Sequence, residues 1–140
     1  MSGSANVGAP NGATPRPRVL IVDDERKNRQ LIEVMLGDEH YDIATASSGE
    51  EALALILACQ PHIVLLDVMM PGMDGYQVAS RIKSDSATAR IPIIMLSALT
   101  DRNSMNHGRG AGAEAFLPKP VNRAELRQQV QKLLGEAKRD

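Results

Sequence analysis

Reactive side chains follow the short apolar runs of this 140-residue sequence. Asp23 and Asp24 follow VLIV, Asp67 follows HIVLL, Ser97 follows IPIIML, and Lys119 lies just after EAFL. If each run is a strand of one parallel sheet, these side chains meet beyond the carboxyl ends of the strands, where open α/β sheets bind ligands. Three carboxylates at such an edge repel one another by roughly 1–4 kcal/mol per pair, so the site requires cations.

This set of residues predicts a site for magnesium-dependent phosphoryl transfer. Hard carboxylate oxygens at a solvent-open crevice favour Mg²⁺, with Mn²⁺ as an alternative. A carboxylate beside such a metal can attack phosphorus and form an aspartyl phosphate. The metal and Lys119 would neutralise the phosphoryl oxygens, and Ser97 would hydrogen-bond one of them. A cis peptide bond before Pro120 is expected, because it would turn the preceding lysine into the crevice.

The apolar pattern predicts strands that alternate with helices along most of the chain. The expected strands cover residues 19–22, 41–45, 62–66, 91–96 and 114–117. Capping residues mark three of the helix starts: Ser48 with Glu51, Asp74, and Asn122 with Glu125. This alternation predicts one α/β domain whose parallel sheet is covered on both faces, with the first, third and fourth strands at its centre.

The composition at the two ends sets the expected domain boundaries. Residues 1–17 are mostly Gly, Ala, Pro, Ser and Asn, which bury too little surface to offset their ordering entropy, so we expect a flexible leader. The folded domain is expected over residues 18–136, followed by a short tail over 137–140.

On the helix that follows the first strand, we expect Arg26, Lys27 and Arg29 to form a solvated face.

The bulk composition excludes several classes of function. Sixteen basic against seventeen acidic residues and 2% aromatic residues argue against direct binding to nucleic acid or membrane surfaces. The single cysteine, Cys59, precludes an internal disulfide and is expected to be a buried thiol. No apolar stretch approaches the ~20 residues of a membrane span, and residues 1–17 lack the basic and apolar regions that are typical of a signal peptide. A cytoplasmic location is therefore expected.

Over about residues 18–135 the chain resembles the receiver domain of bacterial two-component response regulators. The motifs that carry the resemblance are VLIVDDE, LLDVMMPGMDGYQV, IPIIMLSA and AGAEAFLPKPV. The resemblance implies a flavodoxin-like (βα)5 fold, doubly wound, with strand order 2-1-3-4-5. It also implies that Asp67 receives a phosphoryl group from a phosphohistidine of a sensor histidine kinase or a histidine phosphotransfer protein, as part of a phosphorelay.

The same resemblance assigns a role to each metal-site residue. Asp67 would be the phosphoacceptor and Asp24 a direct Mg²⁺ ligand. Asp23 would hold a metal-bound water, and the backbone carbonyl of Met69 would complete the protein ligands.

The resemblance also implies a switch. Ser97 and Lys119 would bind the phosphoryl group, for which the small side chain of Ala98 leaves room. Phe116 would be the switch aromatic residue, turning inward when Ser97 moves to the phosphate. The face formed by the predicted fourth helix, the fifth strand and the last helix would then change its arrangement and control a partner or an output domain, whose nature the sequence does not indicate.

Two departures from the family pattern are visible. Met69 and Leu99, two residues beyond Asp67 and Ser97, are apolar where similar proteins place side chains that bear on the attacking water. Neither can orient water, so we expect a comparatively long-lived phosphorylated form. The predicted fourth helix, over about 101–110, is rich in Asn and Gly, which are poor helix formers.

Other interpretations fit the sequence less well. A phosphohydrolase with an aspartyl nucleophile resembles D-x-D, but Met69 occupies the position of the second acid. A flavodoxin-like cofactor binder needs a Ser-, Thr- or Gly-rich loop after the first strand, where this chain has DDERKN. An interaction module that has lost phosphorylation is disfavoured because every expected site residue is present. We therefore predict a signalling receiver that assists its own phosphorylation and dephosphorylation, not a metabolic enzyme.

Overall fold

The apolar runs of the sequence form five parallel strands in the computed structural model, which describes residues 16–37, 40–98 and 111–138. The strands are β1 (Arg18–Val22), β2 (Asp42–Ala46), β3 (Ile63–Asp67), β4 (Ile93–Ser97) and β5 (Ala115–Pro118). The helices of the described part are α1 (Arg26–Leu36), α2 (Gly49–Cys59), α3 (Gly75–Ser84) and α4 (Arg123–Lys138). The predicted fourth helix, over about 101–110, lies outside the described residues.

The strand order is β2-β1-β3-β4-β5, and all four pairs are parallel. This confirms the doubly wound α/β fold with order 2-1-3-4-5. The three central strands are β1, β3 and β4, as their uninterrupted apolar runs predict, because a strand covered by helices on both faces buries every side chain. The chain reverses direction across the sheet between β1 and β3, which places the topological switch point there.

Alternate residues of the central strands enter two separate cores, one on each face of the sheet. Leu20, Leu66 and Met95 face the core that α2 and α3 cover. Ile21, Leu65 and Leu96 face the core that α1 and α4 cover. Complete burial of one such side chain stabilises the fold by about 1.5–3 kcal/mol. The two cores therefore hold the central strands, and the residues at their ends, rigidly in place.

The capping residues behave largely as the sequence predicts. Asp74 and Gln77 form a reciprocal capping box at the start of α3, and Asn122 Oδ1 accepts a hydrogen bond of 3.0 Å from Glu125 N. At the start of α2, Ser48 Oγ accepts from Glu51 N as expected, at 3.1 Å. The Glu51 carboxylate, however, accepts from the backbone N–H and the hydroxyl of Ser47, one residue before the cap.

Several boundaries differ from the sequence prediction. β3 and β4 each extend one residue further, so that Asp67 and Ser97 are the last residues of their strands. The helix α4 reaches Lys138, two residues into the expected tail.

The expectation for Cys59 was wrong, since its side chain is exposed. It is the last residue of α2, at the point where Gln60 turns the chain into the left-handed region (φ 48°). No helix of the described part of the chain is long and apolar enough to span a membrane.

Candidate functional site

Three carboxylates meet at the carboxyl edge of the sheet, on the neighbouring strands β1 and β3. Asp23 and Asp24 follow β1, and Asp67 ends β3; oxygens of the three side chains lie within 4.8 Å of one another. Asp23 is 1% exposed and Asp67 4% exposed, whereas Asp24 faces solvent. The structure thus brings the predicted acids together, with the most accessible carboxylate at the rim.

Lys119 supplies a positive charge to this cluster. Its Nζ donates a hydrogen bond of 2.9 Å to Asp67 Oδ1 and one of 3.2 Å to Asp23 Oδ2. Its backbone N–H donates to the carbonyl of Ser97 at 2.7 Å, which ties the end of β5 to the end of β4. The peptide bond between Lys119 and Pro120 is cis. One ammonium group therefore bridges two buried carboxylates.

The charges of Asp67 and Lys119 are compensated to different extents, as the shifts of their pKa values indicate. Burial raises the pKa of Asp67, the Asp23 charge raises it further, and the hydrogen bond from Lys119 opposes both effects without cancelling them. Burial lowers the pKa of Lys119, but its hydrogen bond to Asp67 and the charges of both acids outweigh burial and raise it overall. Lys119 is thus firmly protonated, while Asp67 still lacks full charge compensation. A further cation at the site would therefore compensate negative charge that Lys119 leaves.

The donor set fits a divalent cation. The three carboxylates, two of which are paired with Lys119, carry an excess of negative charge. Their oxygens are hard ligands at a partly solvated edge, which is the environment in which Mg²⁺ and similar ions bind. The acidic cluster and the fold together indicate a divalent metal site.

The loop that carries Asp23 is held from several sides. Asp23 N donates to the carbonyl of Ala46 at 3.1 Å, and Asp23 Oδ1 accepts from Glu25 N at 2.8 Å. The guanidinium group of Arg29 donates to the backbone carbonyl of Asp23 at 2.7 Å. The expected solvated face is thus wrong for Arg29, which is half-buried, and right for Arg26 and Lys27, which are exposed.

Sequence reasoning missed Arg29, although a signal was available. Helical side chains lean toward the N-terminus of their helix. An arginine near the start of α1 can therefore reach back to the loop that precedes the helix.

The turn after β3 depends on a close contact between Asp67 and Gly75. A Cβ atom at Gly75 would lie 2.4 Å from the backbone oxygen of Asp67 and 2.8 Å from Val68 Cα. Gly75 N donates to the carbonyl of Val68 at 2.9 Å. Only glycine permits this approach, so Gly75, which the sequence reasoning did not single out, positions the backbone of Asp67.

Met69 lies in the same turn, and its N–H makes a long contact of 3.4 Å with Asp67 Oδ1. Its side chain is 63% exposed beside the acidic cluster.

The remaining predicted site residues lie on β4 and β5. Ser97 is fully buried at the end of β4, and Ala98 directly after it is exposed. Phe116 pairs with Met95 in the register of β4 and β5 and packs, partly buried, against the core under α2 and α3. Leu99 lies outside the described residues.

Comparisons with known proteins agree on one family. The sequence model of the response regulator receiver domain matches residues 19–131. The response regulator PleD of Caulobacter vibrioides is 42% identical over 116 residues, which are 83% of this chain and 26% of that protein. The DNA-binding dual master transcriptional regulator RpaA of Synechocystis is 36% identical over 123 residues, 88% of this chain and 51% of its own length. The chain thus spans between a quarter and about half of the length of these relatives.

Solved structures show the same architecture. The chemotaxis protein CheY4 of Vibrio cholerae superposes with a TM-score of 0.80 at 32% identity, covering 85% of this chain and 99% of that one. The signal receiver domain of a histidine kinase from Syntrophus aciditrophicus gives a TM-score of 0.82 at 29% identity, covering 89% and 94% of the two chains.

Proposed function

Because this chain belongs to the response regulator receiver domain family, whose members are signalling domains of two-component systems, we propose that Asp67 is its phosphoacceptor. The observation that carries the proposal is the position of Asp67 at the end of a central strand, between the Lys119 ammonium group and two further acids. The donor is a phosphohistidine of a sensor histidine kinase or a histidine phosphotransfer protein. A P–O bond forms to the Asp67 carboxylate while the P–N bond breaks, and the imidazole nitrogen keeps the electron pair.

The proposed metal is Mg²⁺, with Mn²⁺ as a substitute. Asp23, Asp24, Asp67 and the backbone carbonyl of Met69 would hold it, and when bound it neutralises charge on the transferring phosphoryl group. Lys119 orients the Asp67 carboxylate through its 2.9 Å hydrogen bond. The burial that raises the pKa of Asp67 also keeps bulk water from the nucleophile. These features support a receiver that assists its own phosphorylation and dephosphorylation.

The switch follows from the connection between β4 and β5. A phosphoryl group adds about −1.5 to −2 charges at the sheet edge, which attracts both the Ser97 hydroxyl and Lys119. Ala98 leaves space for the group. Because Lys119 N is bonded to the Ser97 carbonyl at 2.7 Å, movement of β4 is transmitted to β5 and to Phe116. The face that includes β5 and α4 would then shift its population toward an active arrangement.

The helix α1 offers a docking surface for the phosphodonor protein. It begins directly after the acidic loop, and its side chains Leu31 and Val34 are 52% and 74% exposed. Exposed apolar side chains beside a reactive site are typical of protein contacts. A Leu31→Ser substitution should slow transfer from the protein donor and leave transfer from a small phosphodonor unchanged.

We also propose that the protein is located in the cytoplasm.

Intact-mass measurement tests the phosphoacceptor directly. The protein is incubated with Mg²⁺ and acetyl phosphate, as wild type, as Asp67→Asn, and as Asp42→Asn, an exposed acid on the edge strand β2. We expect one phosphoryl-sized gain in wild type and in Asp42→Asn, and none in Asp67→Asn. Absence of the gain in wild type, or its persistence in Asp67→Asn, would refute the assignment and favour an interaction module that acts without phosphorylation.

A further inference from the structure

We propose that Arg29 is a positioning residue that sets the direction of the Asp24 carboxylate toward the metal. The inference rests on the proposed function, since it concerns the metal that this function requires. Its structural basis is the hydrogen bond of 2.7 Å from the Arg29 guanidinium group to the backbone carbonyl of Asp23.

The bonded carbonyl belongs to the peptide group that joins Asp23 to Asp24. A peptide group is planar and rigid, so an interaction at its oxygen fixes the tilt of the whole unit. That tilt determines where the Cα of Asp24 lies and in which direction its side chain leaves the backbone. A charge-assisted bond at this distance is roughly twice as strong as a neutral one. Through its bond to Asp23, Arg29 therefore controls the orientation of Asp24.

Asp24 is the acid that most needs such support. Asp23 and Asp67 are buried, and the Lys119 ammonium group bonds both of them. Asp24 is exposed, and among the described residues no hydrogen bond or ion pair holds its carboxylate. The backbone therefore sets the direction of its Cα–Cβ bond and limits the positions that its carboxylate can reach. A pre-oriented ligand loses less entropy on binding than a free one, which strengthens binding.

The charge of Arg29 also acts on Glu51, in the first turn of α2. Hydrogen bonds from Ser47 lower the pKa of Glu51, and the charge of Arg29 contributes in the same direction. Ser47 follows Ala46, whose carbonyl accepts from Asp23 N. The acidic loop is thus tied to the end of β2 by a hydrogen bond, and the charge of Arg29 acts both on this loop and on Glu51 at the start of α2.

This arrangement allows charge and position to be separated by experiment. Arg29→Met removes a positive charge near the acids, which by itself would strengthen Mg²⁺ binding, and also removes the bond to Asp23. Arg26→Met removes the same charge from an exposed position on the same helix. The double variant Arg29→Met with Glu51→Gln has the net charge of wild type and lacks the bond to Asp23, while an amide oxygen at position 51 can still accept from Ser47. Arg29→Lys keeps the charge and replaces the guanidinium fork with an ammonium donor.

The measurement is Mg²⁺ affinity by isothermal titration calorimetry, with the melting temperature in EDTA as a record of folding. We expect about tenfold weaker binding in Arg29→Met and in the double variant, which is the size of effect seen when supporting groups of a metal site are lost. Arg26→Met should bind Mg²⁺ as tightly as wild type or slightly more tightly, and Arg29→Lys should be intermediate. In phosphorylation by acetyl phosphate, Arg29→Met should need about tenfold more Mg²⁺ for half-maximal rate and should reach the wild-type rate at saturation.

Two results would overturn the inference. Mg²⁺ binding by Arg29→Met as tight as that of Arg26→Met would show that only its charge matters. Mg²⁺ binding by the double variant as tight as that of wild type would show that the hydrogen bond to Asp23 has no effect on the metal site, because this variant has the wild-type net charge and lacks the bond. Failure of the proposed function is distinguishable, because wild type would then lack either Mg²⁺ binding or phosphorylation of Asp67, whereas failure of this inference leaves both intact.

Discussion

Lys119 Nζ lies 2.9 Å from Asp67 Oδ1, across 52 residues of sequence, and this pair is the electrostatic centre of the site. The lysine is fully paired, since it also reaches Asp23 Oδ2 at 3.2 Å. The aspartate is not, because burial and the neighbouring acid leave its pKa raised in spite of the lysine. A divalent cation bound at the three carboxylates would therefore compensate charge that Lys119 alone leaves uncompensated.

Replacement of Lys119 by methionine should destabilise the metal-free protein. The methionine retains the apolar stem but leaves two buried carboxylates without a cation, and we expect a loss of about 2 kcal/mol at pH 7. The measurement is urea unfolding in EDTA. In a double-mutant cycle, Asp67→Asn in the Lys119→Met background should recover most of the loss. Equal stability losses with and without the Asp67 carboxylate would contradict the assigned pairing.

Asp67→Asn should stabilise the metal-free protein at neutral pH. The raised pKa of Asp67 means that the folded state holds this proton more tightly than the unfolded state, so ionisation of Asp67 costs folding free energy as the pH rises. Removing the ionisable group should therefore raise both the free energy of unfolding at pH 7 and the Tm. Well below the ordinary pKa of 3.8, Asp67 is protonated in both the folded and the unfolded state. The stability difference between wild type and Asp67→Asn should therefore vanish there.

Addition of Mg²⁺ should invert that order. A ligand at 100 times its Kd adds about 2.7 kcal/mol to the folded state, and the wild type has one more carboxylate to bind it than Asp67→Asn. Thermal unfolding in EDTA and in Mg²⁺, between pH 3 and pH 8, measures both effects. An Asp67→Asn variant less stable than wild type at pH 7 in EDTA would be the opposite of what the buried charge requires.

The fold follows from sequence because the central strands are buried on both faces and therefore appear as uninterrupted apolar runs. The predicted ends of the strands were less accurate, since backbone hydrogen bonds continue past the apolar pattern. Val68 N still donates to the Leu96 carbonyl at 3.0 Å, which extends β3 to Asp67. Cys59 follows the helical period yet is exposed, because that period continues to the end of α2, where the core no longer covers it.

The acids and the lysine of the site were predictable because parallel strands bring their carboxyl ends together at one edge. Arg29 and Gly75 were not found in this way. The contact of Arg29 is to a backbone carbonyl, and that of Gly75 depends on the absence of a side chain. The position of Arg29 near the start of α1 gave only a general signal, and neither residue type nor spacing indicated Gly75, since both contacts depend on the distance between a loop and the start of a helix.

Gly75→Ala should damage the site through the backbone. The added Cβ would lie 2.4 Å from the Asp67 carbonyl oxygen, and a strand end in the core cannot move away without loss of packing. We expect a destabilisation of about 3 kcal/mol and slower phosphorylation of the folded fraction. Gly135→Ala is the matched control, because it is helical with nothing within 4 Å of its Cβ position. It should stabilise the protein by about 0.5–1 kcal/mol.

Glu114 should prove more important as an acceptor than as a charge. Its Oε1 accepts from Ile93 N at 2.8 Å, and its Oε2 pairs with Lys83 Nζ at 2.7 Å. Glu114→Ala leaves both donors without this partner at the start of β4 and should cost about 2 kcal/mol. Glu114→Gln keeps an oxygen for Ile93 N and should cost less than half as much. Equal losses in urea unfolding would assign the stabilisation to the ion pair instead.

Met69→Asn should shorten the lifetime of the phosphorylated protein. The Met69 side chain is 63% exposed in the turn after Asp67, and its thioether is too weak an acceptor to orient an attacking water, whereas an amide both donates and accepts. We expect hydrolysis several-fold faster in Met69→Asn, and faster still when Leu99→Glu is added, measured by loss of the phosphoryl mass after the donor is removed. Leu57→Asn is the matched control, since this α2 side chain has the same exposure of 63% and lines the opposite edge of the sheet. A wild-type rate equal to that of the Met69→Asn, Leu99→Glu variant would show that the apolar side chains do not preserve the phosphorylated form.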